Sequence, residues 1–324
     1  MNSPNGSTTR SSLRPSRRDV LLGMGGASLS LAGCIGDLSE SDDNPGTYRI
    51  YATMPALWDF VRQVAGEQME VIDLVPVGEH GHEWNPEPGT VEQLENADGF
   101  VYLREFSSWQ DAAADQLAAE DIVVIEASEG IEFFDSPAEE NDEHWWMDPV
   151  ECKNGVSNIA SGLASIDPEN TDVYESNADA FNEELDTLHE EFSDIVEAGR
   201  LNELVVGTHD SFQWWHRRYG LDIYSPVGTS PDDAASPQDV EAIESLMEEF
   251  DIGHVLYDIG ESGRLARNLA EETGAEILPL SPVETQIDGR PELDTGLVME
   301  SDWGYLDHFR EINLPSVETA LQSE

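Results

Sequence analysis

Three of the chain's eight histidines sit in compact motifs far apart in sequence: His82 in GHEWNPEP, His144 in EHWWMDP and His209 in GTHDSFQWW. Imidazole is a borderline-soft ligand suited to zinc and its neighbours. A set of three therefore points to a transition-metal site assembled from distant segments. A single histidine beside aromatics is more often a packed, hydrogen-bonded residue, so the inference comes from the set. His189, His216, His254 and His308 fall on expected helices or strands without a motif and are read as structural. Cys152, shortly after His144, reads as a small buried residue.

Residues so far apart meet only if the fold brings their loops together, and alternating strands and helices do that. The chain beyond position 33 has about 290 residues, more than one core usually serves, so two lobes are expected. The first is read over 47–171, with strands at Tyr48–Ala52, Val71–Val75, Gly99–Leu103 and Ile122–Ile125. Helices at Ala56–Val64, Val91–Ala97 and Trp109–Ala119 separate them. The second, over 200–324, repeats the rhythm with strands at Glu203–Gly207, Asp222–Tyr224, His254–Asp258 and Glu276–Leu280. Its helices are expected at Phe212–Tyr219, Pro237–Phe250, Leu265–Glu272 and Trp303–Ile312. Such alternation argues α/β with largely parallel sheets.

Between the lobes, 172–199 runs without Pro or Gly until Gly199. Tyr174, Ala178, Phe181, Leu185, Leu188, Phe192 and Ile195 follow at alternating spacings of four and three, one continuous helical face. At 1.5 Å per residue it spans about 40 Å. Fewer than four heptads inside an α/β rhythm favour a helix running along both lobes over a coiled-coil dimer, so a monomer is expected.

The N-terminus reads as a targeting segment. Arg17-Arg18 opens a twin-arginine signal, a short apolar stretch follows to Gly33, and Leu31-Ala32-Gly33-Cys34 resembles a lipobox. Residues 1–33 form the expected signal peptide, Cys34 the lipid-bearing residue and 34–46 an acidic tether. The formal net charge is −53; residues 1–33 hold four Arg and one Asp, so the remainder is three charges more negative. Acidic residues are spread along every segment and Lys153 is the sole lysine. That pattern fits a folded halophilic protein with an acidic surface, stable where molar salt shrinks the Debye length to about 3 Å. With no basic stripe, nucleic acid is excluded as a partner.

Ordered along the chain, the motifs resemble a known family, the metal-binding lipoproteins of zinc and manganese ABC importers (ZnuA-like, cluster A-I solute-binding proteins). Gly81–Pro88 is similar to the family's His-Glu-aromatic-x-Pro-x-Pro segment. His144-Trp145-Trp146-Met147-Asp148-Pro149 is similar to its His-x-Trp-Leu-Asp-Pro, and Thr208-His209-Asp210-Ser211-Phe212 with Arg218-Tyr219-Gly220 to its Ser-His-Asp-Ala-Phe…Arg-Tyr-Gly. Ser165–Asn170 and Ser236-Pro237-Gln238-Asp239 resemble its helix starts. The likeness covers roughly residues 48–315. It implies two α/β lobes, each with a mostly parallel sheet flanked by helices, bridged by one long helix, with the metal in the cleft.

Carried over, the family's ligands fall on His82, His144 and His209. At the fourth position, where many members carry an acidic residue in Leu-Asp-Pro-Leu, this chain has Leu280-Ser281-Pro282-Val283. Glu284, His80, Glu79 or water are the open choices. Losing the acidic position favours Zn²⁺ over Mn²⁺.

The resemblance implies a non-enzymatic carrier, lipid-anchored on the outer face of the cytoplasmic membrane, delivering Zn²⁺ (Mn²⁺ as the alternative) to an ABC permease. Affinity is expected to fall below about pH 6.5 as imidazoles protonate. Two other readings compete. Three His plus an open position also describes a zinc hydrolase, but there is no HExxH, and only Glu83 and Asp210 offer themselves as bases. A siderophore or corrinoid binder would use Trp84, Trp145, Trp146, Trp214 and Trp215 to line its cleft.

Overall fold

The computed structural model describes residues 47–322, except 83, 88, 121, 138–139 and 229–234. The signal peptide, Cys34 and most of the tether lie outside the described residues. In the first lobe, β1 (Tyr48–Ala52), β2 (Met69–Asp73), β3 (Gly99–Tyr102) and β4 (Val123–Glu126) form a parallel sheet of order β2-β1-β3-β4. Helices α1 (Pro55–Ala65), α2 (Thr90–Leu94) and α3 (Ser108–Ala118) make the crossovers. β2 starts and ends two residues earlier than its apolar run suggests. Its register runs from Tyr48 opposite Met69 to Ala52 opposite Asp73, where the Asp73 carboxylate accepts the Val75 N–H and turns the chain away.

The second lobe repeats this order. β5 (Glu203–Val205) pairs with β6 (Asp222–Tyr224), and β7 (His254–Asp258) pairs with β8 (Glu276–Leu280), all parallel. A single parallel bridge from Val206 to Leu256 sets β5 beside β7, so the order reads β6-β5-β7-β8. Helices α6 (Gln213–Tyr219), α7 (Pro237–Phe250) and α8 (Arg264–Thr273) connect these strands.

Two long helices carry both lobes. α5 (Thr171–Ala198) buries Tyr174, Ala178, Phe181, Leu185, Leu188 and Phe192, the face its spacing specifies; Ile195 is half-buried. α4 (Pro149–Ile166) packs along it and was not anticipated from the sequence. Its start signals are clear: Asp148 caps Val150 N at 2.9 Å and Pro149 sits at the first helical position. Gly155 and Gly162, however, read as helix breakers. Both are there for close packing, since a Cβ would lie 2.4 Å from the Trp145 ring at Gly155 and 2.3 Å from Ile125 at Gly162. The C-terminal helix also differs from expectation. It divides into α9 (Tyr305–His308), a π turn (Phe309–Asn313) and α10 (Leu314–Ala320), whose Pro315 opens the last segment instead of ending the helix.

One apolar core runs through both lobes, from Phe60, Trp145, Phe181 and Leu185 to Leu204, Phe212, Trp215 and Phe309. Smaller clusters cover the outer faces of each sheet. Among the described residues no helix is long and apolar enough to cross a membrane. Because Trp145 leaves no room, Gly155→Ala should destabilise the fold by about 1–3 kcal/mol through overpacking. That outweighs the roughly 1 kcal/mol helix-propensity gain. Urea unfolding in molar KCl checks this, and an unchanged or higher midpoint would contradict it.

Candidate metal centre

The chain's four best-placed donors all follow strand ends. His82 lies in the turn after β2, His144 in the stretch between β4 and α4, His209 four residues past β5, and Glu284 four residues past β8. This is the crevice at the carboxyl ends of parallel strands, where α/β sheets present loops. One donor atom from each of the four lies within 4.8 Å of all the others. His82 Nε2 and His144 Nε2 are 3.1 Å apart. Glu284 Oε1 is 3.5 Å from His144 Nε2 and 3.8 Å from His209 Nε2, and its Oε2 is 3.8 Å from His82 Nε2. Four donors around a metal at 2.0–2.1 Å would be spaced about 3.3 Å apart, so the cluster already has nearly that size. Neither Glu284 oxygen has a hydrogen-bond partner, although the side chain is fully buried.

Behind the donors stands a shell of carboxylates. Asp142 Oδ1 lies 3.1 Å from His144 Nδ1 and accepts the His144 backbone N–H at 3.0 Å. Glu261 accepts from His209 Nδ1 and from the His209 backbone N–H. Each carboxylate takes one ring nitrogen and so leaves Nε2 facing the cluster, the arrangement that orients metal-binding imidazoles. Ser211 Oγ caps His209 Nε2 and must rotate for that nitrogen to receive a metal. His80 is buried beside them, its Nε2 3.0 Å from Asp258 Oδ2 and its Nδ1 3.5 Å from Glu284 Oε2.

These surroundings set the charges. Burial drives the His82 pKa down to about 3, more strongly than the pull of Glu284 raises it. For His144 burial also opposes charge, but the Asp142 hydrogen bond with Glu143 and Glu284 overcomes it and the pKa rises to about 9. His209 moves up for the same reason, against burial, through Glu261 and Glu284. Burial works to raise Glu284, yet His82, His209 and His80 together hold it well below the usual carboxylate range.

Tryptophans peg these segments to one another. Trp214 and Trp215 of α6 donate to the Asp142 and Met147 carbonyls at 3.2 and 2.8 Å, on either side of His144. Trp146 donates to Pro282 O at 2.7 Å. Ala56 N and Gly81 N, both in the first lobe, reach Val283 O and Glu284 O at 3.2 and 3.0 Å. The Glu284 loop belongs by sequence to the second lobe but is bonded to the first.

The sequence-derived trio is thus brought together, and of the candidates for a fourth donor it is Glu284 that stands within the same cluster. The signal was offset: Leu280-Ser281-Pro282-Val283 carries no carboxylate, and Val283 takes a left-handed backbone (φ 59°) before Glu284 turns inward. A β-branched residue there is strained, which is common where a fold over-determines a functional loop. Glu79 is exposed and outside the cluster, and His80 stands behind Glu284 instead of among the four. No member of the carboxylate shell was singled out from the sequence; for Asp142 the signal available was its place two residues before His144. Asp258 and Glu261 carry no local signal, because strand pairing alone delivers them. Cys152 is buried, its thiol donating to Trp146 O at 3.1 Å.

The family model described as ZnuA, zinc-uptake complex component A, periplasmic, matches residues 50–306. The chain is similar to the high-affinity zinc uptake system protein ZnuA of Bacillus subtilis, 25 % identical over 297 residues, covering 87 % of this chain and 90 % of that one. It is also 25 % identical over 297 residues to the zinc-binding lipoprotein AdcA of Streptococcus pneumoniae, covering 86 % of this chain but only 59 % of AdcA. Among solved structures it resembles the laminin-binding protein Lmb of Streptococcus agalactiae, described as bifunctional with adhesin and metal-transporting activity. Identity there is 27 % and the TM-score 0.71, over 85 % of this chain and 100 % of that one. It likewise resembles the metal-dependent lipoprotein YcdH of Bacillus subtilis, at 25 % identity and TM-score 0.70 over 85 % and 99 %. With a match across most of its length, a two-lobed α/β frame and one long helix, the chain belongs to the ZnuA family.

Proposed function

We propose that this protein captures Zn²⁺ outside the cell and hands it to the membrane permease of an ABC importer, with His82, His144, His209 and Glu284 as ligands. The observation that carries this is the buried Glu284 carboxylate, without a hydrogen-bond partner and ringed by imidazole nitrogens at 3.5–3.8 Å. A buried carboxylate with no hydrogen bond is costly, and a divalent cation at the centre of the ring would satisfy both it and the imidazoles. Three imidazoles and one carboxylate suit tetrahedral zinc, whereas manganese prefers more oxygen donors. The relatives ZnuA, named for high-affinity zinc uptake, and AdcA, named as zinc-binding, support the same choice here.

Four protein donors complete a tetrahedron and leave no open position for a reacting water, which favours carriage over hydrolysis. Asp210, considered as a base, is committed to Gln213 at 2.6 Å; Glu83 lies outside the described residues. Against a siderophore or corrinoid, Trp145, Trp146, Trp214 and Trp215 are fully buried in the core and line no cleft. Twin-arginine export, lipid attachment at Cys34 and a place on the outer face of the membrane complete the proposal. The lipoprotein names of AdcA and YcdH support the anchor, and the charge of −53 supports a working environment of high salt.

Competition with a chelator in molar KCl should give one zinc equivalent per chain. His82→Ala or His209→Ala should each weaken binding by more than about a hundredfold, at least ~2.7 kcal/mol. Asp142→Asn, which removes only the support of His144, should cost about 10–100-fold. Wild-type affinity in either ligand variant would contradict the assignment.

The pH dependence follows from His144 and His209. His144 is pushed up to about 9 by Asp142, Glu143 and Glu284, and His209 is raised well above the usual imidazole range by Glu261 and Glu284. Zinc must displace the protons on these rings, so affinity falls as pH falls, by about tenfold per unit for each proton displaced. The fall should begin well above the pH 6.5 expected for ordinary imidazoles. Calorimetry in buffers of differing ionisation enthalpy at pH 7.5 should show net proton release on binding. No release would contradict the charge assignment.

A further inference from the structure

Among the described donor side chains, solvent reaches the open face of the cluster at two. His82 is 10 % exposed and Glu143 14 %, while His144, His209 and Glu284 are fully buried. Glu261 is as exposed as Glu143 but lies on the far side, against Nδ1 of His209. Glu143 Oε1 stands 3.8 Å from His82 Nε2, the same separation that Glu284 keeps from that nitrogen. Glu143 also groups with Asp142 and His144, one donor atom from each lying within 4.8 Å of the others, yet it is not among the four inner donors. It therefore shares two histidines with the inner cluster from the solvent side. Glu143 closes the acidic stretch 128–143, whose Glu129, Glu132 and Asp135 are exposed.

We infer that Glu143 is the entry ligand: its carboxylate takes the still partly hydrated cation at the mouth, beside His82, and releases it inward as Glu284 takes over. The chemistry is ligand exchange only. A metal-bound water leaves as the Glu143 oxygen binds, and that oxygen leaves as the buried carboxylate binds. A hard oxygen donor suits the hydrated ion at the mouth, and the imidazoles suit the dehydrated one within. Such a residue speeds passage in both directions and leaves the equilibrium nearly unchanged.

This inference rests on zinc capture at the inner cluster, and its test separates the two. The mature chain in molar KCl is mixed with Zn²⁺ by stopped flow, and release is followed into excess chelator. At that salt the Debye length is about 3 Å, so steering by the protein's overall charge is screened and contact effects remain. Glu143→Gln should lower both the association and the dissociation rate about tenfold, a size typical of a local charge effect on association, with Kd within threefold of wild type. Glu143→Asp, which keeps the charge on a shorter stem, should recover part of the rate. Glu132→Gln, an exposed carboxylate on the same stretch, should change neither rate.

An unchanged association rate in Glu143→Gln would overturn the inference. So would weaker binding through faster release alone, which would make Glu143 a resident ligand. Equal slowing by Glu132→Gln would assign the effect to the general field and overturn it too. Failure of the wild-type protein to bind zinc at equilibrium would instead sink the capture reading beneath it.

Discussion

A carboxylate buried without a hydrogen bond is the constraint on which this structure turns. Glu284 is sealed from water and faces four imidazoles, from His80, His82, His144 and His209, at 3.5–3.8 Å. Those distances are too long for hydrogen bonds and close to the spacing of atoms that share a metal. The fold keeps this carboxylate ionised through the surrounding imidazoles alone, with no donor close enough to hydrogen-bond it. The shell behind it fixes the rings: Asp142 and Glu261 occupy the outward nitrogens of His144 and His209, so that the inward ones face Glu284.

Holding such a site requires that its walls not collapse. The two sheets share one strand order, so their strand ends face a common crevice, and loops from both lobes supply donors. Indole N–H groups fix the backbone next to those donors: Trp214 and Trp215 bracket His144, and Trp146 grips the turn before Glu284. These tryptophans are rigid, fully buried and continuous with the core along α4 and α5. The strained Val283 backbone is held by Ser281 Oγ, which accepts Val283 N at 3.1 Å, and by Asn313, bonded to both Ser281 N and Ser281 O. The π turn that places Asn313 thereby acquires a purpose in the site.

Much of this was legible in the residues, for identifiable reasons. The face of α5 follows from one helical period sustained over about six turns, a signal that tertiary context rarely reverses. His82, His144 and His209 stand in motifs where local chemistry is concentrated. What escaped notice depended on distant partners. α4 was hidden because Gly155 and Gly162 look like breakers until Trp145 and Ile125 are seen to fill the space their side chains would take. The C-terminal helix was expected to end at Ile312, whereas it continues through a π turn into α10, where Pro315 sits in the first turn and opens the last segment. Glu284 was only one of several choices because a left-handed Val283 cannot be read from its neighbours. Asp258 and Glu261 are delivered by strand pairing, which one sequence does not display.

If the capture reading is right, one metal joins both lobes through three imidazoles and the buried carboxylate. The most direct measurement is the zinc-loaded crystal structure with anomalous data collected on both sides of the zinc edge. A single strong peak is expected about 2.0–2.2 Å from Nε2 of His82, His144 and His209 and from one oxygen of Glu284. A peak instead among His80, Asp258 and Glu261, or a coordination shell that leaves Glu284 unbound, would contradict it.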